Sequence, residues 1–146
     1  MGQPENNCRR NQPNLLLCPL QLVTSHPEAI AVIDGNLCRL TRFGTRAAWS
    51  GPIASSVVEF RQGPMCIYVR EHTFGLLPGL PNLYCLDAAF RLQWLAEWPD
   101  PADPCARIVD HAGDTLVVES VRGMVIRLDA NTGRLLGIAR PLAVAS

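Results

Sequence analysis

Short apolar runs rich in Val and Ile alternate along this chain with Gly, Pro, Asn and Asp. Runs this short, punctuated this often, have the pattern of strands and turns rather than of helices. Strands are predicted over Leu15 to Val23, Ala29 to Ile33, Leu37 to Leu40 and Arg46 to Trp49. Ser56 to Arg61 and Met65 to Arg70 bracket Gln62-Gly63-Pro64, a hairpin signal. Arg107 to Asp110 and Thr115 to Ser120 bracket Ala112-Gly113-Asp114 in the same way.

Three stretches repeat one another. Cys38-Arg39-Leu40-Thr41 is followed by Arg46-Ala47-Ala48-Trp49, and Tyr84-Cys85-Leu86-Asp87 by Arg91-Leu92-Gln93-Trp94. Ile126-Arg127-Leu128-Asp129 is followed by Arg134-Leu135-Leu136-Gly137. Thr41, Asp87 and Asp129 mark a period of roughly 42–46 residues, the size of a propeller blade. In the third copy Asp129-Ala130-Asn131-Thr132-Gly133 has the composition of a tight turn, with Gly133 free to take a positive φ. The second copy, with Ala88-Ala89-Phe90, is one residue shorter and needs a different turn. Between Glu71 and Pro81 it also carries about eight residues more than the third copy has between Ser120 and Gly123.

The expected fold is all-β, with two to three four-stranded antiparallel propeller-like blades. They lie at approximately 15–50, 56–98 and 105–140 of one repeat domain, 15–146, behind a flexible leader, 1–14. A compact β-sandwich or partial barrel is the alternative.

The strings Leu83-Tyr84-Cys85-Leu86-Asp87-Ala88, with Trp94, and Ile126 to Gly133 resemble the repeat of the quinoprotein-type (PQQ-like) propellers. That repeat runs apolar-Tyr-Ala-Leu-Asp-Ala-x-Thr-Gly, and a Trp follows that packs between neighbouring blades. By this resemblance Trp94, and with it Trp49, takes the wedge position, while Gly137 departs from it. The stretch from Val57 to Gly137 also resembles small stand-alone bacterial proteins of uncharacterised function with two such blades. The resemblance implies a fold, not an activity. The quinone-dependent enzymes surround their cofactor with a full ring, and many carry adjacent cysteines beside it. This chain has at most three blades and no Cys-Cys pair, so no cofactor is expected.

A chain of 146 residues with 48 % hydrophobic and 18 % charged residues makes one globular domain. The formal net charge is zero, which argues against nucleic acid held by counterion release. All thirteen basic residues are Arg, read here as bacterial coding bias. The apolar run Leu15 to Val23 is too short to span a bilayer, and Asn11 to Asn14 separate it from Arg9 and Arg10. The lipoprotein reading of Leu15-Leu16-Leu17-Cys18 fails on the same polar insertion, and a cytoplasmic setting is expected. Cys8, Cys18, Cys38, Cys66, Cys85 and Cys105 show no CxxC spacing and are expected to be mostly reduced core thiols, Cys8 excepted as an exposed one.

Few residues invite chemistry. His26 stands before Pro27. A metal site of His72 with Cys66 and Cys85 has no support in spacing, and Asp100 with Asp103 offers too few oxygens for calcium. A pocket at a blade or subunit seam would draw on Asp110, His111, Asp114 and Glu119. The insertion is the strongest feature, because Phe74, Leu76, Leu77 and Leu80 sit on a loop longer than hairpins use. They are the candidate interface, and Leu76→Asp with Leu77→Asp is expected to separate an oligomer into monomers.

Two functions stay open. One is a non-catalytic interaction module that self-associates, a dimer being favoured, and binds a protein or peptide. The other is a small-molecule binder or enzyme.

Overall fold

A computed structural model describes residues 29–140. The leader, Cys8, Cys18, His26 and the strand predicted over Leu15 to Val23 lie outside the described residues. Eleven strands and no helix occur among the described residues, in three antiparallel sheets. The first sheet holds β1 (Ala29–Ile33), β2 (Asn36–Leu40) and β3 (Arg46–Ser50). The second holds β4 (Val57–Gln62), β5 (Cys66–Glu71), β6 (Leu83–Asp87) and β7 (Leu92–Leu95). The third holds β8 (Cys105–Ala112), β9 (Thr115–Ser120), β10 (Val125–Asp129) and β11 (Leu135–Ala139). Each sheet is an up-and-down meander, the construction of a propeller blade. The chain is therefore all-β, with propeller-like blades stacked face to face.

Period-2 alternation explains the stacking. In the second sheet Ile67, Val69, Tyr84 and Leu86 turn to the first sheet, where they meet Leu37, Ile30 and Val32. Tyr68, Leu83, Cys85 and Trp94 turn to the third and meet Ile108, Leu116, Val118, Ile126 and Leu128. The middle sheet is thus buried on both faces. The sheets approach most closely along their early strands, β1 to β4 and β4 to β8.

The three repeat turns use one device. Asp129 Oδ1 accepts hydrogen bonds from the Asn131 and Thr132 amides, and Asp87 Oδ1 from the Ala89 and Arg91 amides. In the first sheet the Thr41 hydroxyl does the same for the Phe43 and Thr45 amides. The last turn residue takes a positive φ: Gly44 at 81°, Phe90 at 65° and Gly133 at 76°. Phe90 adopts a conformation that glycine would favour. Its ring lies under the Arg39 guanidinium, 4.5 Å from the centroid, and packs on the seam between the first two sheets.

The resemblance erred at Trp49. Cys85 faces Trp94 across β6 and β7, but the equivalent Arg39 faces Ala48, so Trp49 falls on the opposite side of its sheet. The β2–β3 turn closes on Thr45 as the β6–β7 turn closes on Arg91, so Arg46 pairs where Leu92 does, and the Arg-x-x-Trp spacing carries Trp49 one residue past the row, which reverses its side chain.

Candidate functional site

The two ends of the sheet stack differ. One end carries the tight repeat turns. The other carries the linkers between sheets and the insertion.

At the linker end, buried carboxylates fix the backbone. Glu71 is the last residue of β5 rather than the first of the insertion, and it is buried. Its carboxylate accepts hydrogen bonds from the Ile53, Ala54 and Ser55 amides, at 2.5, 2.9 and 2.9 Å, and from the Tyr84 hydroxyl at 2.7 Å. Burial alone would push this acid up; the bonds from Ser55, Tyr84, Ile53 and Ala54 outweigh it and hold the carboxyl below its usual value. Between the second and third sheets Asp103 has the corresponding task. Its carboxylate accepts from the Ser120 hydroxyl at 2.6 Å and the Arg122 amide at 2.8 Å, while its carbonyl accepts from Trp98 Nε1 at 2.8 Å. Asp103 is buried in the seam, and Asp100 lies 3.9 Å from the Arg122 guanidinium.

The insertion, residues 72–82, starts and ends in fixed bonds. Asn82 is buried; its amide donates to the Glu71 and Cys105 carbonyls at 2.9 and 2.8 Å, and its oxygen accepts from the Cys105 amide at 2.9 Å. Ser55 Oγ donates to the His72 carbonyl at 2.9 Å, the Phe74 amide donates to His72 Nδ1 at 3.1 Å, and the Leu80 amide to the Leu77 carbonyl at 3.1 Å. The four candidate residues divide. Leu76 and Leu80 turn inward and, with Pro81, Trp98, Pro101 and Pro104, line a cleft of about 110 Å³. Phe74 and Leu77 stay outside, 78 % and 52 % exposed.

The residues proposed for a pocket do not converge. His111 Nε2 lies 3.0 Å from the Gly113 carbonyl and 3.3 Å from the Tyr68 hydroxyl, at the turn end of the second seam. Its ring meets Tyr68 edge-on, with centroids 5.0 Å apart. Asp110 forms an ion pair with Arg61 at 3.8 Å, and Asp114 Oδ1 accepts from Asn131 at 3.3 Å. Glu119 pairs with Arg107 at 2.9 Å on the far face of the third sheet. These partners are turn, seam and surface contacts.

The metal reading of His72 with Cys66 and Cys85 meets a geometric obstacle. His72 is beyond the end of β5 on the linker side, and Cys66 begins that strand at the turn side. No group of three His, Cys, Asp or Glu among the described residues could hold a metal ion. Cys38, Cys66, Cys85 and Cys105 are free thiols, all buried except the half-buried Cys66. Burial pushes the Cys105 and Cys85 thiols up to about 12, with Cys66 adding to the shift of Cys85, so neither is a thiolate at neutral pH.

Sequence reasoning missed Glu71 and Asn82 as the anchors of the insertion. Their sign in the sequence is a carboxylate closing an apolar strand and an Asn opening the next, Glu71 before and Asn82 after the loop.

No protein-family profile and no curated protein matches the chain. Among solved structures it is similar to the crystal structure of BamB from Moraxella catarrhalis, at 19 % identity and a TM-score of 0.45. That alignment covers 77 % of this chain and 34 % of the other, so this chain spans about a third of that protein's length.

Proposed function

We propose that the chain is a non-catalytic protein-interaction module that self-associates and offers its insertion to an apolar segment of a partner protein. One observation carries this reading: Phe74 and Leu77 are held outward on a loop tied by the Ser55–His72 hydrogen bond at its start and by the buried bonds of Asn82 at its end. Apolar side chains on a fixed loop, with water on them in the free chain, are what a partner can cover without first ordering the loop. The adjoining cleft, walled by Leu76, Leu80, Trp98 and three prolines, suits one apolar side chain of that partner. At about 110 Å³ it is well below the ~300–1,000 Å³ of small-molecule sites.

The structure also redirects the disrupting substitutions. Leu76 lines the cleft, so Phe74→Asp with Leu77→Asp is the pair that alters the surface and spares the fold. Selection of peptides from a random display library on the immobilised protein tests the reading. Selected peptides are expected to carry apolar side chains and to lose at least about ten-fold in affinity on the double variant, the worth of one buried apolar group. Peptides that bind both proteins equally, or a selection with no enrichment, would remove the insertion as a binding surface.

A further inference from the structure

The outer face of the third sheet repeats the face by which the first sheet grips the second. Directly opposed residues of antiparallel strands share a face. In the first sheet one such row is Ile30, Arg39 and Ala48. The equivalent row of the second sheet is Tyr68, Cys85 and Trp94, and of the third Val117, Arg127 and Gly137. The third sheet thus matches the first: a β-branched residue, an arginine, then a residue small enough to let the guanidinium lie flat. A Cβ on Gly137 would stand 2.8 Å from the Arg127 guanidinium, so the missing side chain is what makes room for it. The neighbouring row adds Val125 where the first sheet has Leu37; Glu119 in place of Val32 is the one polar change.

Arg39 shows what such a row does. It donates to the Ala88 carbonyl in the β6–β7 turn of the next sheet and lies over the Phe90 ring of that turn. Arg127 holds the same place but makes no hydrogen bond or ion pair among the described residues, whose last sheet is the third. The surface that would answer it is on the first sheet's other face. There Trp49 is 59 % exposed, and Phe43, on the β2–β3 turn, is 78 % exposed. That turn is the repeat equivalent of the turn Arg39 grips.

We propose that the outer face of the third sheet is a seam completed by the first sheet of a second copy of this chain. Arg127 donates to a carbonyl of the 41–45 turn and stacks on Phe43, as Arg39 does on Phe90 within the chain. Two copies joined in this way at both ends form a closed ring of six sheets about a two-fold axis, within the four to eight of known propellers. Trp49 is buried in that seam. This inference rests on the self-association in the function proposed above, and it is independent of what the insertion binds.

Light scattering on a size-exclusion column, over a range of concentrations, tests it with three proteins. Wild type is expected near twice the 16.0 kDa chain mass. Arg127→Glu is expected to weaken the dimer by about 30-fold or more, the effect of losing a buried interface arginine, with a melting midpoint unchanged at concentrations low enough that both proteins are monomeric. Phe74→Asp with Leu77→Asp is expected to stay dimeric. Acrylamide quenching of Trp49, taken as the difference between wild type and Trp49→Phe, should rise when Arg127→Glu separates the copies. A wild type that is monomeric throughout overturns the proposal and leaves the peptide-binding surface standing. A dimer unaffected by Arg127→Glu but lost in the insertion variant also overturns it, and assigns self-association to the insertion.

Discussion

The seam between the first and second sheets and the seam between the second and third share a geometry but divide its parts differently. Each needs a carboxylate to hold the linker that carries the chain across. In the first seam the acid is on a strand, Glu71, and reaches out to the 53–55 backbone. In the second it is on the linker, Asp103, and reaches in to Ser120, which occupies the position of Glu71. The side-chain filling is divided just as differently, with Arg39 and Ala48 in one and Cys85 and Trp94 in the other. The comparison shows that the repeat fixes backbone pairing and leaves the supply of each contact to either partner. A buried donor needs an acceptor, but it does not matter which segment brings it.

The strongest way to break the comparison is at Glu71. Glu71→Ala leaves three linker amides and the Tyr84 hydroxyl without their acceptor. Unpaired buried groups cost about 1–3 kcal/mol each before relaxation, so a loss of about 3–4 kcal/mol is expected from urea unfolding. Only the first seam should loosen, which hydrogen exchange would show as new opening at 53–57 with the third sheet unchanged. The sign with pH follows from the bonds. The folded carboxyl lies below its ordinary 4.5. Its stabilisation is therefore fully present above about pH 4.5 and is lost as pH falls through the folded value. The difference in stability between wild type and Glu71→Gln should shrink on acidification from pH 6 towards pH 3. A difference that grows on acidification would mean that Glu71 is protonated in the fold.

A smaller effect separates backbone strain from crowding at matched turns. Gly44 and Gly133 both sit at positive φ. A Cβ on Gly44 meets nothing within 4 Å, whereas one on Gly133 would stand 2.4 Å from the Trp94 ring. Gly44→Ala is expected to cost about 1 kcal/mol, for conformation alone. Gly133→Ala adds overpacking and should reach about 2–3 kcal/mol. Equal costs would show that Trp94 yields, and that the flat contact between glycine and indole does not fix the second seam.

These contrasts also mark what was legible in the sequence. The β4–β5, β6–β7 and β10–β11 hairpins were readable, because turn residues and apolar alternation are local signals. The stack of sheets was readable from the repeat. Trp49 was not, since its turn closes on Thr45, before Arg46 rather than on it as the second copy's turn closes on Arg91; that puts Trp49 on the other face, and composition does not report register. Glu71 and Asn82 were missed for a different reason. Each is defined by partners far along the chain, the 53–55 linker and Cys105, and a single polar residue beside a loop carries no sign of them. The insertion was legible as an apolar loop, but not the division that turns Leu76 and Leu80 inward and leaves Phe74 and Leu77 in water.

The smallest effect sharpens the comparison most, because it sets a used arginine against its repeat equivalent. Arg39→Ala removes a hydrogen bond across the first seam and a cation over Phe90. It should cost about 1–2 kcal/mol at any protein concentration, since both partners are in the same chain. Arg127→Ala removes no hydrogen bond or ion pair among the described residues and should fall within about 0.5 kcal/mol of wild type at low concentration, where surface substitutions lie. At high concentration it should become destabilising, because a ligand or second copy that binds only the folded chain adds to its stability by mass action. Thermal melts of both variants across a hundred-fold range of concentration decide between the outcomes. If the Arg127→Ala difference does not grow with concentration, the outer face of the third sheet is an end of the stack. If it grows and the Arg39→Ala difference stays fixed, the two arginines grip in the same way, one within the chain and one between copies.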